Sequence, residues 1–143
     1  MSHTCKNLLI RCMDFRLYKE TRKWIAGSNL FEGGFDVISI AGASKDLVDG
    51  SEEVKNNLMK QIGISADVHK VEKIILFHHS DCGAYALDYE FSSAQEEKEK
   101  QLEDMKKAKA IILEKYPEIE VIFAWGELKN DNGDEIEFEV VAE

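Results

Sequence analysis

The chain has 143 residues, 28 acidic and 18 basic side chains and a formal net charge of −10 (18 − 28). That length suits one domain with one proper core, spanning 1–143, and is too short for two ordinary ones. The acidic balance, with no local cluster of Lys or Arg, excludes nucleic acid and anionic membrane surfaces as partners. No apolar run approaches the ~20 residues of a membrane span, and the first residues lack a basic-then-apolar signal layout, so a soluble, cytoplasmic protein is expected. Three cysteines are too few and too oddly numbered for a disulfide framework, which also suits a reducing compartment.

Residues 8–10, Leu-Leu-Ile, form the first short apolar run, a predicted strand that runs into Cys12-Met13-Asp14-Phe15-Arg16. Leu17, Thr21, Trp24 and Ile25 then recur at helical spacing with Lys19, Glu20, Arg22 and Lys23 between them, an amphipathic helix ending near Gly27. Trp24 is expected as a core anchor. Residues 35–40 are the second predicted strand, followed by Ala41-Gly42-Ala43-Ser44, small residues that let another group approach the backbone closely. Ser51 is a helix cap with Glu52 and Glu53 in the first turn, Val54, Leu58 and Ile62 mark the apolar face, and Gly63 is the stop.

The run 74–77 sits inside a third strand, 73–78, that ends in His78 and His79. From Cys82 a short helix runs to about residue 89. Ser93 and Glu96 then form a capping box for a long helix that Pro117 stops near Tyr116. Its buried stripe is Leu102, Met105, Ala108, Ile112 and Tyr116. The charged stretch 96–101 is expected to be a solvated first turn, with Glu96 paired to Lys100 and Glu103 to Lys107. Residues 121–125 are a fourth strand. In the last one Ile136, Phe138 and Val140 alternate with Glu135, Glu137 and Glu139, and Asn132-Gly133 signals a hairpin. The sum is an α/β three-layer fold with a central, mainly parallel sheet of about five strands, the last antiparallel at an edge.

Chemistry concentrates where two strands end. His79 and Cys82 are three apart in a strand-to-helix turn, a spacing that brings imidazole and thiolate to one cation, and Cys12 ends the other apolar run. Parallel strands finish at one sheet edge, where open α/β folds bind their ligands. Cys12, His79 and Cys82 can then close three sides of a zinc tetrahedron and leave the fourth for water, with Asp14 and Arg16 beside it. Of the two adjacent histidines only one can ligate, because neighbours on a strand point to opposite faces, and the spacing favours His79. Cys5 is expected as a free thiol, and His3 and His69 as solvent-facing. Asp81 is expected to bond backbone amides in the turn, and Tyr85 and Tyr89 to wall the pocket or pack. A nucleotide-binding reading lacks a glycine-rich phosphate loop, and a thiol-redox reading lacks a C-x-x-C pair.

Taken in order, Cys12-x-Asp14-x-Arg16, the Ala41-Gly42-Ala43 step after a strand, and His79-x-x-Cys82-Gly83 resemble the beta-class carbonic anhydrases. The likeness covers about residues 7–141. It implies a zinc lyase hydrating carbon dioxide to bicarbonate through a zinc-bound hydroxide, with Cys12, His79 and Cys82 as ligands and Asp14 and Arg16 as catalytic residues. Gly42, Ala43, Ser44 and Gly83 would line the substrate pocket, and a homodimer is expected. Two arrangements of Asp14 stay open: held by Arg16 to accept a hydrogen bond from the nucleophile, or turned inward as a fourth ligand. Met13, Phe15 and the Ser39-Ile40 pair depart from the family's usual residues. They leave open a related hydrolase of carbonyl sulfide or carbon disulfide, or a zinc-bearing protein without turnover in which the metal only fastens two strand ends.

Overall fold

Leu8, Leu9 and Ile10 are each fully buried, as are Ile74, Ile75, Leu76 and Phe77. Only a strand covered on both faces hides consecutive side chains in this way, and that sets the architecture. The structure, a computed structural model, describes residues 3–142. Its five strands are β1 (Asn7–Arg11), β2 (Phe35–Ser39), β3 (Lys73–His79), β4 (Glu120–Leu128) and β5 (Ile136–Val141). They lie in the order β2-β1-β3-β4-β5, parallel except for β5, which runs antiparallel at the edge beside β4.

Each face of the sheet has its own core. Leu8, Ile10, Ile74, Leu76, Val121 and Phe123 meet side chains of three helices: Leu47 of α2 (Lys45–Asp49), Leu58 and Ile62 of α3 (Glu52–Gly63), and Met105, Ala108 and Ile112 of α5 (Ala94–Lys115). Burying a Leu or Ile contributes about 1.5–3 kcal/mol, so these six helix and six strand positions carry much of the drive that joins the layers. On the opposite face Leu9, Ile75, Phe77 and Ala124 meet Leu17, Phe31 and Trp24, the last from α1 (Tyr18–Ala26). Trp24 is the expected anchor, stacked on Phe138 of β5 at 4.8 Å and edge-on to Phe31 at 5.3 Å. A short helix, α4 (Gly83–Asp88), follows β3 with Cys82 as its cap. No described helix is long and apolar enough to cross a membrane.

The caps form as expected. Ser51 Oγ accepts the Val54 N–H and Ser93 Oγ the Glu96 N–H, satisfying donors that a helix start leaves free. Several expectations are corrected. Val54 is 41% exposed, so the buried face of α3 rests on Leu58 and Ile62. That helix does not stop at Gly63 but continues into a π-helical turn, Ile64–Val68. Glu96 bonds Ser92 rather than Lys100, whose ammonium goes to Asp104 at 3.1 Å, while Glu103 and Lys107 do pair at 3.0 Å. Val140 is 53% exposed, and Val141 takes the core position instead. His69 is not solvent-facing: it is half-buried, with Nδ1 2.7 Å from Asp36 Oδ2.

Candidate metal centre

β1 and β3 are neighbours with Arg11 opposite Phe77, so the chain leaves both strands at the same edge. Cys12, the next residue, comes level with the histidine pair. The ligand atoms of Cys12, His79 and Cys82 lie within 4.8 Å of one another, and all three residues are buried. The two sulfurs are 4.0 Å apart. Two thiolates on one tetrahedral zinc, at Zn–S of about 2.3 Å, would stand roughly 3.8 Å apart. His79 Nδ1 is 2.7 Å from the Ser80 carbonyl oxygen, which can only accept, so Nδ1 carries the proton and Nε2 presents its lone pair. That buried Nε2 has no hydrogen-bond partner. An orphaned imidazole nitrogen facing two sulfurs at this spacing fits a zinc ion.

The electrostatics lean the same way. Hydrogen bonding with Cys82 holds Cys12 below the usual thiol range despite burial. The same contact with Cys12, together with burial, pushes Cys82 up. A cation between the two sulfurs would favour the thiolate form of both. Gly42 N–H also donates to Cys12 Sγ, at 3.4 Å. Gly42 has φ of 79°, and a Cβ there would lie 3.0 Å from Lys45 Cβ and 3.1 Å from Ala84 Cβ. The small residue thus lets the starts of α2 and α4 close over the sulfur.

Asp14 stands at the edge of this group, its Oδ2 3.9 Å from His79 Nε2. Three bonds hold it to Arg16: the backbone N–H and Nε to Oδ1 at 2.9 and 3.0 Å, and Nη2 to Oδ2 at 2.7 Å. This pairing keeps the Asp14 carboxyl below its ordinary range and raises the Arg16 guanidinium. Arg16 also reaches the carboxylate and the carbonyl of Asp81, at 2.9 and 2.8 Å, and so ties the loop after Cys12 to the loop before Cys82. Behind Arg16 lies the β4–β5 hairpin. A Cβ on Gly133, at φ 78°, would come within 2.1 Å of the Arg16 carbonyl oxygen.

Below the ligands lies a polar layer that the sequence reading missed. Glu97 of α5 accepts the N–H groups of Asp81 and Cys82, at 2.9 and 3.0 Å. Gln101 donates to Glu97 at 3.0 Å and to the His79 carbonyl at 2.9 Å. Its Oε1 meets His78 Nδ1 at 3.0 Å, and His78 Nε2 meets Ser44 Oγ at 2.7 Å. Burial keeps His78 neutral, its pKa lowered to about 4. Glu97 and Gln101 fall in the stretch expected to be a solvated turn; they are 9% and 0% exposed. The signal was their place in the helix: 97, 101, 104, 105, 108 and 112 continue one buried stripe.

The four expected pocket residues divide. Gly42 serves Cys12, Ala43 and Ser44 are fully buried, and Ser44 is spent on His78. Gly83 is open, with nothing within 4 Å of a Cβ built there. Tyr85 is buried against Asp104, to which its hydroxyl donates at 2.9 Å, so it packs rather than walls a pocket. Asp81 uses its carboxylate on Arg16, not on the turn amides; those are served by Glu97.

Comparison with known proteins gives this geometry its setting. An uncharacterized protein of Rickettsia bellii is 37% identical over 118 residues, covering 80% of this chain and 71% of that protein. The crystal structure of beta-carbonic anhydrase isoform I from Trichomonas vaginalis superposes with a TM-score of 0.62 at 15% identity, over 97% of this chain and 83% of that one. The carbonic anhydrase of Streptococcus mutans gives 0.60 at 18%, over 99% and 84%. At these identities the structures establish a common fold. A family model described as "Putative carbonic anhydrase" matches residues 2–140. The chain belongs to that family and has the α/β fold of the beta-carbonic anhydrases.

Proposed function

We propose that this protein is a zinc-dependent carbonic anhydrase that interconverts carbon dioxide and bicarbonate. The observation that carries the reading is the bare His79 Nε2 beside two cysteine sulfurs 4.0 Å apart, with an aspartate held just outside ligand reach. Cys12, His79 and Cys82 would hold the metal. Bound there, zinc supplies Lewis acidity and lets water act as a nucleophile near neutral pH. The chain's own residues do the rest. Asp14 Oδ2, aimed at the ligand group, can accept a hydrogen bond from an entering water and turn its lone pair toward the carbon atom. Arg16 restrains Asp14 through three bonds and would keep its carboxylate from ligating the metal. A site meant only to fasten two strand ends would have no use for that restraint.

Features of the surface support association. β2 is an open edge with Phe35 38% and Val37 54% exposed, and Met13, Phe15 and Tyr18 are exposed at 63%, 75% and 61%. Apolar groups in such number support a homodimer or larger homo-oligomer. Keeping Cys12 and Cys82 as free thiols suits a reducing, cytoplasmic setting.

The test is metal analysis and a carbon dioxide hydration assay on one sample. Zinc bound at Cys12, His79 and Cys82 with measurable hydration is the expected outcome. Zinc without hydration would reject the lyase reading and leave a metal-fastened protein.

A further inference from the structure

The opposite ends of the same strands hold a second group of ligand-type side chains. Cys5 precedes β1, Asp36 is the second residue of β2, and His69 follows the π-helical turn, so three separate segments meet here. The Cys5 sulfur, an Asp36 carboxylate oxygen and a His69 ring nitrogen lie within 4.8 Å of one another. His69 Nδ1 is 2.7 Å from Asp36 Oδ2, and Ser65 Oγ donates to the same oxygen at 2.8 Å. Cys5 is fixed by its backbone N–H, which donates to the His69 carbonyl at 3.1 Å. The His3 ring lies against His69, centroids 4.8 Å apart. All three central residues are half-buried, and a surface cleft of about 270 Å³, lined by Cys5, Lys6, Lys70 and Glu72, opens beside them.

We propose that Cys5, Asp36 and His69 form a second site for a divalent cation of the zinc class. Sulfur, imidazole and carboxylate together select a borderline, four-coordinate ion over magnesium or calcium, which take oxygen alone. Ser65 supplies the hydrogen bond that orients the carboxylate, as outer partners do at metal sites. On binding, the cation replaces the proton between His69 Nδ1 and Asp36, with the ring proton carried on Nε2, and the Cys5 thiol releases its proton to solvent. The site fastens the segment before β1 to the start of β2 and to the turn after α3, at the sheet end remote from Cys12 and His79. It shares no residue with the proposed catalytic centre.

The experiment is a titration of the metal-stripped full chain with Co²⁺, followed by thiolate-to-metal absorption and by equivalents bound. Parent protein is expected to take one equivalent more than either Cys5→Ser or His69→Gln. Both substitutions fall on half-buried side chains, Cys5 at the margin of one core and His69 outside both, and serine nearly keeps the size of cysteine, so the fold should hold. Cys82→Ser, where it folds, should keep an equivalent with single-thiolate absorption, and the Cys5→Ser/Cys82→Ser double variant should lose it. An equal number of equivalents in parent, Cys5→Ser and His69→Gln overturns the proposal, whatever happens at Cys82. Loss of an equivalent in Cys82→Ser alone would leave the catalytic reading standing without this one.

Discussion

The ligand loops are held from two sides, and the two sides are built differently. The floor is Glu97, Gln101, His78 and Ser44, from 0% to 9% exposed, each bonded to another protein group. The rim is Asp14, Arg16 and Asp81, with side-chain exposures of 12%, 13% and 79%. Water can replace a lost partner at Asp81 but not at the floor, where an unmet donor or acceptor carries its full desolvation penalty. Under the proposed function the floor would position the ligands, and the rim, nearer to solvent, is the side that could rearrange.

The comparison can be broken at the ligands themselves. Cys82→Ser is expected to release the equivalent of zinc bound at this centre and abolish hydration, read by metal analysis; full zinc content would show the centre to be misplaced. At the rim, Arg16→Ala frees Asp14 to turn toward the metal. Zinc should stay while hydration falls roughly 100-fold or more, the scale of lost proton-transfer and orienting groups. Undiminished hydration would mean that Arg16 is only a surface charge.

The floor should respond in the opposite way. Gln101→Leu removes partners from His78 Nδ1 and the His79 carbonyl together. It is expected to destabilise the fold by about 2–3 kcal/mol and to weaken zinc binding roughly 10–100-fold. Denaturant melts and metal competition measure the two effects; an unchanged zinc affinity would deny the floor its positioning role. Gly133→Ala forces a side chain into left-handed backbone and against Arg16, for a loss of about 2 kcal/mol. If the hairpin supports the rim, activity should fall with the thermal midpoint, and a drop in midpoint alone would uncouple them. Asp81→Asn, an exposed partner, should shift stability by less than about 1 kcal/mol.

How much of this could be read in advance depends on what each residue answers to. β1 and β3 were legible because buried parallel strands need unbroken apolar runs, and the meeting of Cys12, His79 and Cys82 because cysteine and histidine stood where those runs ended. α2 was not: five residues with only Leu47 and Val48 apolar carry too little period to see. Glu97 and Gln101 are polar residues that composition assigns to the surface, and only the fold brings the site's amides to them. Lys45 is buried for a similar reason. Its ammonium meets Asp49 at 2.8 Å and also Asp88, and these bonds outweigh the desolvation that would lower its pKa. The meeting of Cys5, Asp36 and His69 depends on the register of β1 with β2 and on the extra turn after Gly63. Val141 replaced Val140 in the core because both faces of β5 are in use, Phe138 on one and Val141 on the other.

The adjacency of β1 and β3 has a consequence for how the molecule forms. Cys12 and Cys82 are 70 positions apart, and β2, α2 and α3 all lie between them in the chain. Closing so long a loop is slow, and the three ligands do not share a neighbourhood until the central strands have paired. Zinc offered to the unfolded chain finds local pairs, such as His79 with Cys82, but not the assembled triple. The metal should therefore do little to hasten folding and much to delay unfolding, acting as a latch that engages after the middle of the sheet has closed.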